Sequence, residues 1–316
     1  MADYPWAVKL SKLRRRKGGV IDRRGQTSPA GLGGLGFPHS SRGFPIPSGA
    51  GGLSIGTLIL LVVVVGVFWL CGGGAGPIGD ALSPFGDAGT VGAGSNEPQV
   101  DPADPMGAFV DAVTDDVQVT WTDLFERAGK TYQPTSVVLF TGSTQSGSGV
   151  ASQATGPFYC PADRLVYLDT SFFKELERRY GAPGDFAEAY VIAHEIAHHV
   201  QTLLGINAEV QRQGRDDPSL ANELSVRLEL QADCFAGVWG RAAQAAGILE
   251  PGDIEEGLNA ASAIGDDRIM ESTGGRIDPE SFTHGTSEQR STWLRTGIQV
   301  GNPDACDTFS PAYGDL

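Results

Sequence analysis

Cysteine is scarce in this chain, with four residues in 316. No two of them form a Cys-x-x-Cys pair, which excludes a zinc knuckle or ribbon held by thiolates. Cys160 and Cys306 lie in segments that resemble loops, and we predict a disulfide between them if the domain faces an oxidising compartment. Cys234 lies among small and apolar residues of a predicted helix, where a buried thiol is expected.

Positive charge is scarce after residue 52. The first 52 residues carry nine Lys and Arg against Asp3 and Asp22, whereas the whole chain has a net charge of −15 and its remainder is strongly acidic. A basic arm of this kind is typical of nucleic-acid binding. Here it ends beside an uncharged apolar run. A membrane-associated arm therefore explains the charge better, and no nucleic-acid partner is predicted.

Charge is absent from the apolar run Leu53–Leu70. At a helical rise of about 1.5 Å per residue the run covers roughly 27 Å, close to the hydrocarbon thickness of a bilayer. We therefore predict a single transmembrane helix over residues 53–71, which contacts the lipid bilayer. A cleaved signal peptide is the alternative, but the charged leader is too long for one. Lipidation of Cys71 fits poorly, because the bulky Phe68 and Trp69 precede it.

The positive-inside rule gives this helix an orientation. All nine Lys and Arg of residues 1–52 precede the apolar run, so these residues are predicted to be a basic, flexible arm in the cytoplasm. Residues 72–103 are rich in Gly, Pro and Ser with few large apolar side chains, which predicts a linker. The folded domain, residues 104–316, would then lie outside the cytoplasmic membrane.

The outer domain has a mixed pattern of apolar residues. Apolar side chains recur at helical spacing over residues 104–128, and nearly all of the chain after Thr170 has helical patterns. Residues 142–149 are predicted to be a flexible loop. Three short β-branched or aromatic runs predict strands, at residues 136–141, 158–160 and 164–169. The sequence therefore predicts an α+β fold dominated by helices, with a small sheet.

The segment His194-Glu195-Ile196-Ala197-His198 lies in the middle of one predicted helix. A spacing of four puts both imidazoles on one helix face about one turn apart, where they can bind one metal ion. A catalytic zinc needs a third protein ligand and an open position for water, beside which Glu195 is a candidate general base. An ordinary amphipathic helix that happens to carry histidines is the alternative.

A later helical segment has carboxylates at the same spacing. Glu229 and Asp233 are four residues apart, so one can bind zinc while the other holds a ligand histidine and fixes its tautomer. Glu223 is a rival third ligand, but no carboxylate follows it one turn later. We therefore predict a Zn²⁺ site of His194, His198 and Glu229, with Asp233 behind it.

Several motifs together resemble a known family. They are Asp22-Arg23-Arg24-Gly25, Gly156-Pro157-Phe158-Tyr159-Cys160-Pro161, His194–Gln201, Leu228–Trp239 and Thr283-His284-Gly285-Thr286. The combination resembles the bacterial YpfJ-type neutral zinc metallopeptidases, over the arm and nearly the whole outer domain. The resemblance implies a zincin-like domain and a place in the bacterial cytoplasmic membrane.

The predicted helix with Glu229 and Asp233 also resembles that of gluzincins, in which a Glu-x-x-x-Asp helix supplies the third zinc ligand and its orienting acid. As in HtpX-type membrane peptidases, a His and an Arg follow that helix, here His284 and Arg290. We predict that His284 is a catalytic donor to the oxyanion. Arg290 is predicted to pair with Asp266 or Asp267 and fix the His284 loop. The alternative for His284 is a loop histidine that caps the last helix.

The predicted function is hydrolysis of a protein or peptide substrate by a membrane-anchored zinc metallopeptidase, with Glu195 accepting a proton from zinc-activated water. Two other classes are open. One is a catalytically silent, zinc-stabilised binding protein of the envelope. Glu195 argues against it, because a structural zinc site needs no base. The other is a chaperone-like partner of a membrane complex, which predicts an exposed apolar groove without turnover.

Overall fold

A computed structural model describes residues 9–14, 19–26 and 98–316 of the protein. The fold is mainly helical α+β, as the sequence predicts, and it has two small sheets where one was expected. The helices of this part of the chain are α1 (Pro105–Arg127), α2 (Ser171–Arg178), α3 (Asp185–Leu203), α4 (Ile206–Asp216), α5 (Ala221–Ala245), α6 (Asp253–Ala263), α7 (Asp266–Ser272) and α8 (Ser287–Val300). The strands are β1 (Val20–Asp22), β2 (Val137–Phe140), β3 (Ser143–Ser146), β4 (Gly149–Ser152), β5 (Phe158–Cys160) and β6 (Leu165–Asp169).

The larger sheet has the strand order β1-β2-β6-β5. Strands β1, β2 and β6 are parallel, and β5 runs antiparallel to β6 at the edge. Every residue of β2 is buried, because Val137 and Leu139 face the main helical core while Val138 and Phe140 face a smaller cluster behind the sheet. A continuous apolar run is what a strand covered on both faces requires.

The predicted flexible loop at residues 142–149 is wrong, because β3 and β4 form an antiparallel hairpin there. Its sequence is mostly Gly and Ser, and Thr144 and Val150 are the only β-branched residues in the two strands, so the usual strand signal is weak. Asp163 holds the turn, since its Oδ2 accepts a hydrogen bond from the backbone N–H of Gly147 at 2.5 Å. The sequence analysis also did not distinguish α4 and α7 as separate helices.

Helix α3 is central, with contacts to helices α1, α5 and α6 and to strands β5 and β6. Helices α5 and α8 approach each other most closely at Gly237 and Gly297. A Cβ at Gly297 would clash with the carbonyl oxygen of Cys234, and one at Gly237 would clash with that of Leu294. The absence of these two side chains therefore lets α8 lie directly on the helix that carries Glu229.

The basic segment at the start of the chain belongs to the folded domain wherever it is described. Strand β1 pairs with β2, with Val20 opposite Val137, and the side chains of Leu13 and Val20 are buried. Arg14 donates from Nε to the buried Asp116 carboxylate on α1 at 2.9 Å. The prediction of a separate flexible arm over residues 1–52 is therefore wrong for residues 9–14 and 19–26, in which Arg14 and Arg24 pair with acidic side chains.

Residues 53–71 and most of the predicted linker lie outside the described residues. Within the described ranges, no helix has both the length and the apolar composition that a membrane crossing requires. The backbone N–H of Asp22 donates to the carbonyl oxygen of Pro98 at 2.8 Å, so the chain leaves and returns at neighbouring points.

The disulfide joins Cys234 to Cys306, with Cα atoms 5.6 Å apart. The predicted bridge from Cys160 to Cys306 and the predicted buried thiol at Cys234 are both wrong. Cys160 is instead a buried thiol in β5, with its Sγ 2.9 Å from the Ser148 hydroxyl. The close packing of α8 on α5 brings the segment after α8 beside Cys234, and nothing local to either cysteine indicates that contact.

Candidate metal centre

The two predicted ligand histidines lie on one face of α3, as their spacing requires. Both point their Nε2 atoms at Glu229 on α5. The distance from His194 Nε2 to Glu229 Oε2 is 3.1 Å, and that from His198 Nε2 to Glu229 Oε1 is 3.4 Å. One donor atom from each of the three residues lies within 4.8 Å of the other two.

This arrangement fits zinc. Ligand atoms at about 2.0–2.1 Å from a tetrahedral zinc lie roughly 3.3 Å apart, close to the separations of the Glu229 oxygens from the two imidazoles. Two imidazole nitrogens and a carboxylate are also a ligand set that catalytic zinc uses. Three protein ligands leave the fourth tetrahedral position open.

A charged network holds His194 from behind. Its Nδ1 lies 2.8 Å from Asp233 Oδ1, and Asp233 is fully buried. The Tyr190 hydroxyl donates to the same oxygen at 2.6 Å. Arg290 on α8 donates to both Asp233 oxygens, from Nε at 2.9 Å and from Nη2 at 3.0 Å. Burial alone would raise the pKa of Asp233, but Arg290 and His194 lower it below its ordinary value.

The sequence analysis predicted that Arg290 pairs with Asp266 or Asp267. That prediction is wrong, because Arg290 pairs with Asp233. The close approach of α8 to α5 places the guanidinium beside the carboxylate that holds His194. Arg290 also donates to the Ile264 carbonyl oxygen at 3.2 Å. Its contacts lie behind the candidate metal site and do not fix the His284 loop.

A neutral amide holds His198. Its Nδ1 lies 2.8 Å from Gln201 Oε1, three residues later on the same helix. Sequence reasoning missed both Tyr190 and Gln201. Each lies about one turn of α3 from the histidine that it serves, so the same helical spacing that pairs the histidines could have found them.

Glu195 is buried beside the histidines but lies outside the set of three ligand residues. Burial raises its pKa above the ordinary value, although the neighbouring His194 and His198 oppose that shift. The backbone of Tyr159 in β5 lies near its carboxylate and also opposes that shift. The candidate base therefore lies between the ligand helix and the edge strand.

His199, the neighbour of His198, faces away from the site. Its Nε2 lies 2.6 Å from the Gln133 carbonyl oxygen, and its Nδ1 lies 3.1 Å from the Tyr159 hydroxyl. Burial lowers its pKa to about 4. A neutral imidazole with both ring nitrogens in hydrogen-bond contact packs α3 against the sheet and is not a ligand.

The site favours a bound cation. Burial alone would lower the pKa of His194, but Asp233 and Glu229 outweigh it and raise that pKa to about 10. Burial would raise the pKa of Glu229, but His198 and His194 lower it well below its ordinary value. The carboxylates of Glu195, Glu229 and Asp233 outnumber the guanidinium of Arg290 beside them. Positive charge between the imidazoles and Glu229 is therefore stabilised, as a divalent metal would provide.

His284 lies in the loop before α8, which packs against α5 through a hydrogen bond from the Ser225 hydroxyl to the Thr283 carbonyl oxygen at 2.9 Å. Its Nδ1 is 3.1 Å from Asp266 Oδ1, and its side chain is 27% exposed. The cap of α8 is Thr286, whose hydroxyl accepts from the Gln289 backbone N–H at 3.1 Å. His284 is therefore not the cap of that helix.

Glu223 is not part of the group. It pairs with Arg227 one turn later, at 2.9 Å, and its side chain is 34% exposed. Arg227 in turn donates to the carbonyl oxygen of Thr308 at 2.5 Å. The rival third ligand thus belongs to the contacts that hold the C-terminal segment on α5.

These features define a candidate metal centre, in which a His-Glu-x-x-His helix and a carboxylate from a second helix could hold one ion. The family model described as "Putative neutral zinc metallopeptidase" matches residues 10–309, and the chain belongs to that family. The family predicted from the motifs is therefore confirmed. The match begins before β1, so it includes the N-terminal segment that pairs with the sheet.

Relatives of known sequence cover most or part of the chain. "Uncharacterized protein YpfJ" of Escherichia coli (strain K12) is 45% identical over 300 residues, which cover 94% of this chain and 97% of that protein. "Uncharacterized protein Rv2575" of Mycobacterium tuberculosis (strain H37Rv) is 48% identical over 185 residues, which cover 55% of this chain and 62% of that protein. No solved structure matches the chain.

Proposed function

We propose that the chain is a zinc-dependent peptidase in which His194, His198 and Glu229 hold the metal and Glu195 is the general base. One observation carries the proposal: three ligand atoms from two helices converge beside a buried carboxylate that is not a ligand. A purely structural metal site has no use for that carboxylate. The family description supports peptide substrates.

Zinc held by these residues would lower the pKa of a bound water and stabilise negative charge on the peptide carbonyl oxygen. Glu195 accepts a proton from the attacking water and passes it to the nitrogen of the leaving amine. Its raised pKa suits both steps, because a carboxylate that holds a proton more readily can first accept and then donate it.

His284 is the proposed donor to the developing negative charge. With Nδ1 directed at Asp266, its Nε2 is the atom available to a substrate. Burial lowers the pKa of His284, but Asp266 and Glu229 outweigh this and raise it above the ordinary value. The protonated form, which donates from Nε2, is therefore favoured. A donor of this kind stabilises the transition state more than the bound substrate.

The test of the proposed activity compares the zinc-loaded full chain with its Glu195→Gln variant on a diverse peptide library. The variant is expected to keep zinc and its fold, because Glu195 is not a ligand, and to lose hydrolysis by about 100 to 10,000-fold. Metal analysis and mass spectrometry of the products give the two readouts. Equal hydrolysis by both proteins would overturn the proposal. Tight zinc binding without any hydrolysis would favour a zinc-stabilised binding protein.

We also propose that the chain attaches to a membrane through residues 53–71, whose uncharged apolar sequence supports that contact. The pairing of β1 with β2 supports a location of residues 9–14 and 19–26 on the same side of the membrane as the domain. This proposal differs from the predicted topology, in which a single crossing separates a cytoplasmic arm from the domain. The disulfide supports an oxidising compartment for the domain.

The membrane proposal is tested with single cysteines at exposed positions, Ser11→Cys and Thr292→Cys, each in a chain that also carries Cys71→Ser. Intact cells are treated with a membrane-impermeant maleimide. Because both positions belong to one folded body, we expect equal labelling at both. Labelling of position 292 with full protection of position 11 would restore the single crossing. Recovery of the protein outside the membrane fraction would exclude attachment.

A further inference from the structure

The orientation of His198 rests on Gln201. An imidazole can bind a metal through Nε2 only if that nitrogen is unprotonated, which requires the proton to be on Nδ1. Gln201 Oε1 lies 2.8 Å from His198 Nδ1, and a carbonyl oxygen can only accept. The Nδ1–H therefore donates to Gln201, and the lone pair of Nε2 faces Glu229.

Two acceptors on α5 determine which way the Gln201 amide points. Its Nε2 donates to the Leu228 carbonyl oxygen at 2.8 Å and to Gln231 Oε1 at 3.1 Å. A flipped amide would place its carbonyl oxygen against these two acceptors and its nitrogen against the Nδ1–H of His198. Gln201 is fully buried, so water cannot compensate such a flip. The amide is thus held in the orientation that serves His198.

Gln231 is held in turn by the disulfide-linked segment. Its Nε2 donates to the Cys306 carbonyl oxygen at 3.1 Å, and Cys306 is bonded to Cys234 one turn from Gln231 on α5. Other contacts hold the neighbouring chain as well, since the Thr308 hydroxyl donates to the Arg227 carbonyl oxygen at 2.6 Å. Loss of the disulfide would therefore loosen the Cys306 carbonyl without releasing the whole segment.

We propose that Gln201 is the positioning residue for His198, and that Gln231 and the Cys234–Cys306 disulfide hold it in place. This inference rests on the proposed zinc site and adds the residues on which zinc affinity depends. The chain of contacts runs from a ligand histidine to a covalent cross-link through two amides. Gln201 does not touch substrate; it acts through His198.

The test measures the zinc dissociation constant of the full chain by competition with a chromophoric chelator, together with its zinc-free unfolding free energy. Gln201→Leu is expected to weaken zinc binding by about 10 to 100-fold, as loss of an outer partner typically does. Gln201→Glu keeps an acceptor for the His198 Nδ1–H but sets its second oxygen against the Leu228 carbonyl and Gln231 Oε1, so it should recover only part of that affinity. The double variant Cys234→Ser, Cys306→Ser should weaken zinc binding less, and its effect should not add to that of Gln201→Leu.

Two matched variants separate positioning from stability. Gln118 on α1 is also a buried amide, whose Oε1 accepts from the Thr135 backbone N–H at 2.8 Å. Gln118→Leu should therefore lower the unfolding free energy and leave zinc affinity unchanged. Cys160→Ser changes a buried thiol outside the disulfide and should not alter zinc affinity. If Gln201→Leu behaves like Gln118→Leu, the positioning role is wrong.

A zinc-free readout distinguishes this inference from the proposed activity. The Nδ1–H of His198 should exchange slowly with solvent in the wild-type protein and give an imidazole NMR signal that Gln201→Leu removes. Its presence in both proteins, or its absence from wild type, would overturn the inference. Wild type that binds zinc without hydrolysis would refute the peptidase proposal alone. Wild type that does not bind zinc would refute the proposed site, while this signal would still decide the role of Gln201.

Discussion

His194 and His198 lie one helical turn apart on α3, yet they are held by different chemistry. Behind His194 are a buried carboxylate, a guanidinium and a phenol from α3, α5 and α8. Behind His198 is one neutral amide from its own helix, supported by a second amide. The contacts behind His194 orient its imidazole ring and add negative charge, whereas those behind His198 only orient the ring.

The difference has a consequence for metal affinity. A carboxylate behind an imidazole raises its basicity as well as fixing its tautomer, whereas an amide oxygen does mainly the second. The charged groups behind His194 must all be paired, because an unpaired buried ion is costly. The neutral amides behind His198 cost less to bury, but each of their hydrogen bonds is needed to orient the histidine. Loss of a contact should therefore weaken zinc binding more behind His194 than behind His198.

The largest expected effect belongs to the residue that both sides share. Glu229 contacts both histidines, so Glu229→Ala should lose zinc beyond the ~100-fold change expected for an outer partner, and hydrolysis with it. Glu223→Ala is the matched control, because Glu223 lies on the same helix but pairs with Arg227. Metal analysis after dialysis gives the result. Zinc loss from the Glu223 variant alone would move the third ligand to Glu223.

His284 with Asp266 is another histidine–carboxylate pair, only partly buried, and its histidine lies outside the three ligand residues. His284→Ala should therefore lower kcat by about 100 to 1,000-fold, the usual effect of removing an oxyanion donor, with little change in KM. Zinc content should stay at the wild-type level, in contrast to the Glu229 variant. A parallel loss of zinc would make His284 a ligand or folding element, and unchanged kcat would make it a structural loop residue.

Helical spacing was sufficient to predict which residues come together at the centre of the candidate metal site. Positions four apart share a face of any α-helix, so the His194–His198 and Glu229–Asp233 pairs could be recognised before the fold was known. Spacing cannot show which helix packs on which. The partner of Arg290 and the partner of Cys234 both depend on the close approach of α8 to α5, and both predictions were wrong.

The N-terminal segment shows a different limit of sequence reasoning. Its basic composition beside an apolar run is the usual signal of a cytoplasmic flank. The same composition also suits a segment whose arginines pair with acidic protein side chains, as Arg14 does with Asp116. Only the strand pairing of β1 with β2 distinguishes the two cases, and a three-residue strand is too short for its sequence to reveal a partner.

The charged side of the comparison is tested by Asp233→Asn. The variant keeps the shape of the side chain but loses its charge, so zinc affinity should fall by about 10 to 100-fold. Arg290 would be left buried without its counter-ion, and breaking a buried pair typically costs about 3–5 kcal/mol of unfolding free energy. Zinc competition and denaturant unfolding measure the two effects. Unchanged zinc affinity would show that charge behind His194 is dispensable.

The control for that variant is Asp116→Asn. Asp116 is equally buried and pairs with Arg14 at 2.9 Å, but it lies on α1 away from the ligand residues. This substitution should lower stability without changing zinc affinity. Its cost should be smaller than that of Asp233→Asn, because the Arg14 side chain is 38% exposed and stays accessible to water.

The smallest expected effect comes from Tyr190→Phe, which removes one hydroxyl from the charged network. That hydroxyl donates to Asp233 Oδ1 at 2.6 Å, and its loss should cost about 0.5–1.5 kcal/mol of unfolding free energy. Because Arg290 still pairs with Asp233, zinc affinity should fall by less than about tenfold, a change that corresponds to ~1.4 kcal/mol. Tyr167→Phe is the matched control, since its hydroxyl donates to Asp163 at 2.6 Å in the sheet. Both variants should lose stability, but only Tyr190→Phe should weaken zinc binding. A decrease as large as that of Asp233→Asn would mean that the phenol, and not the charge, holds the carboxylate against His194.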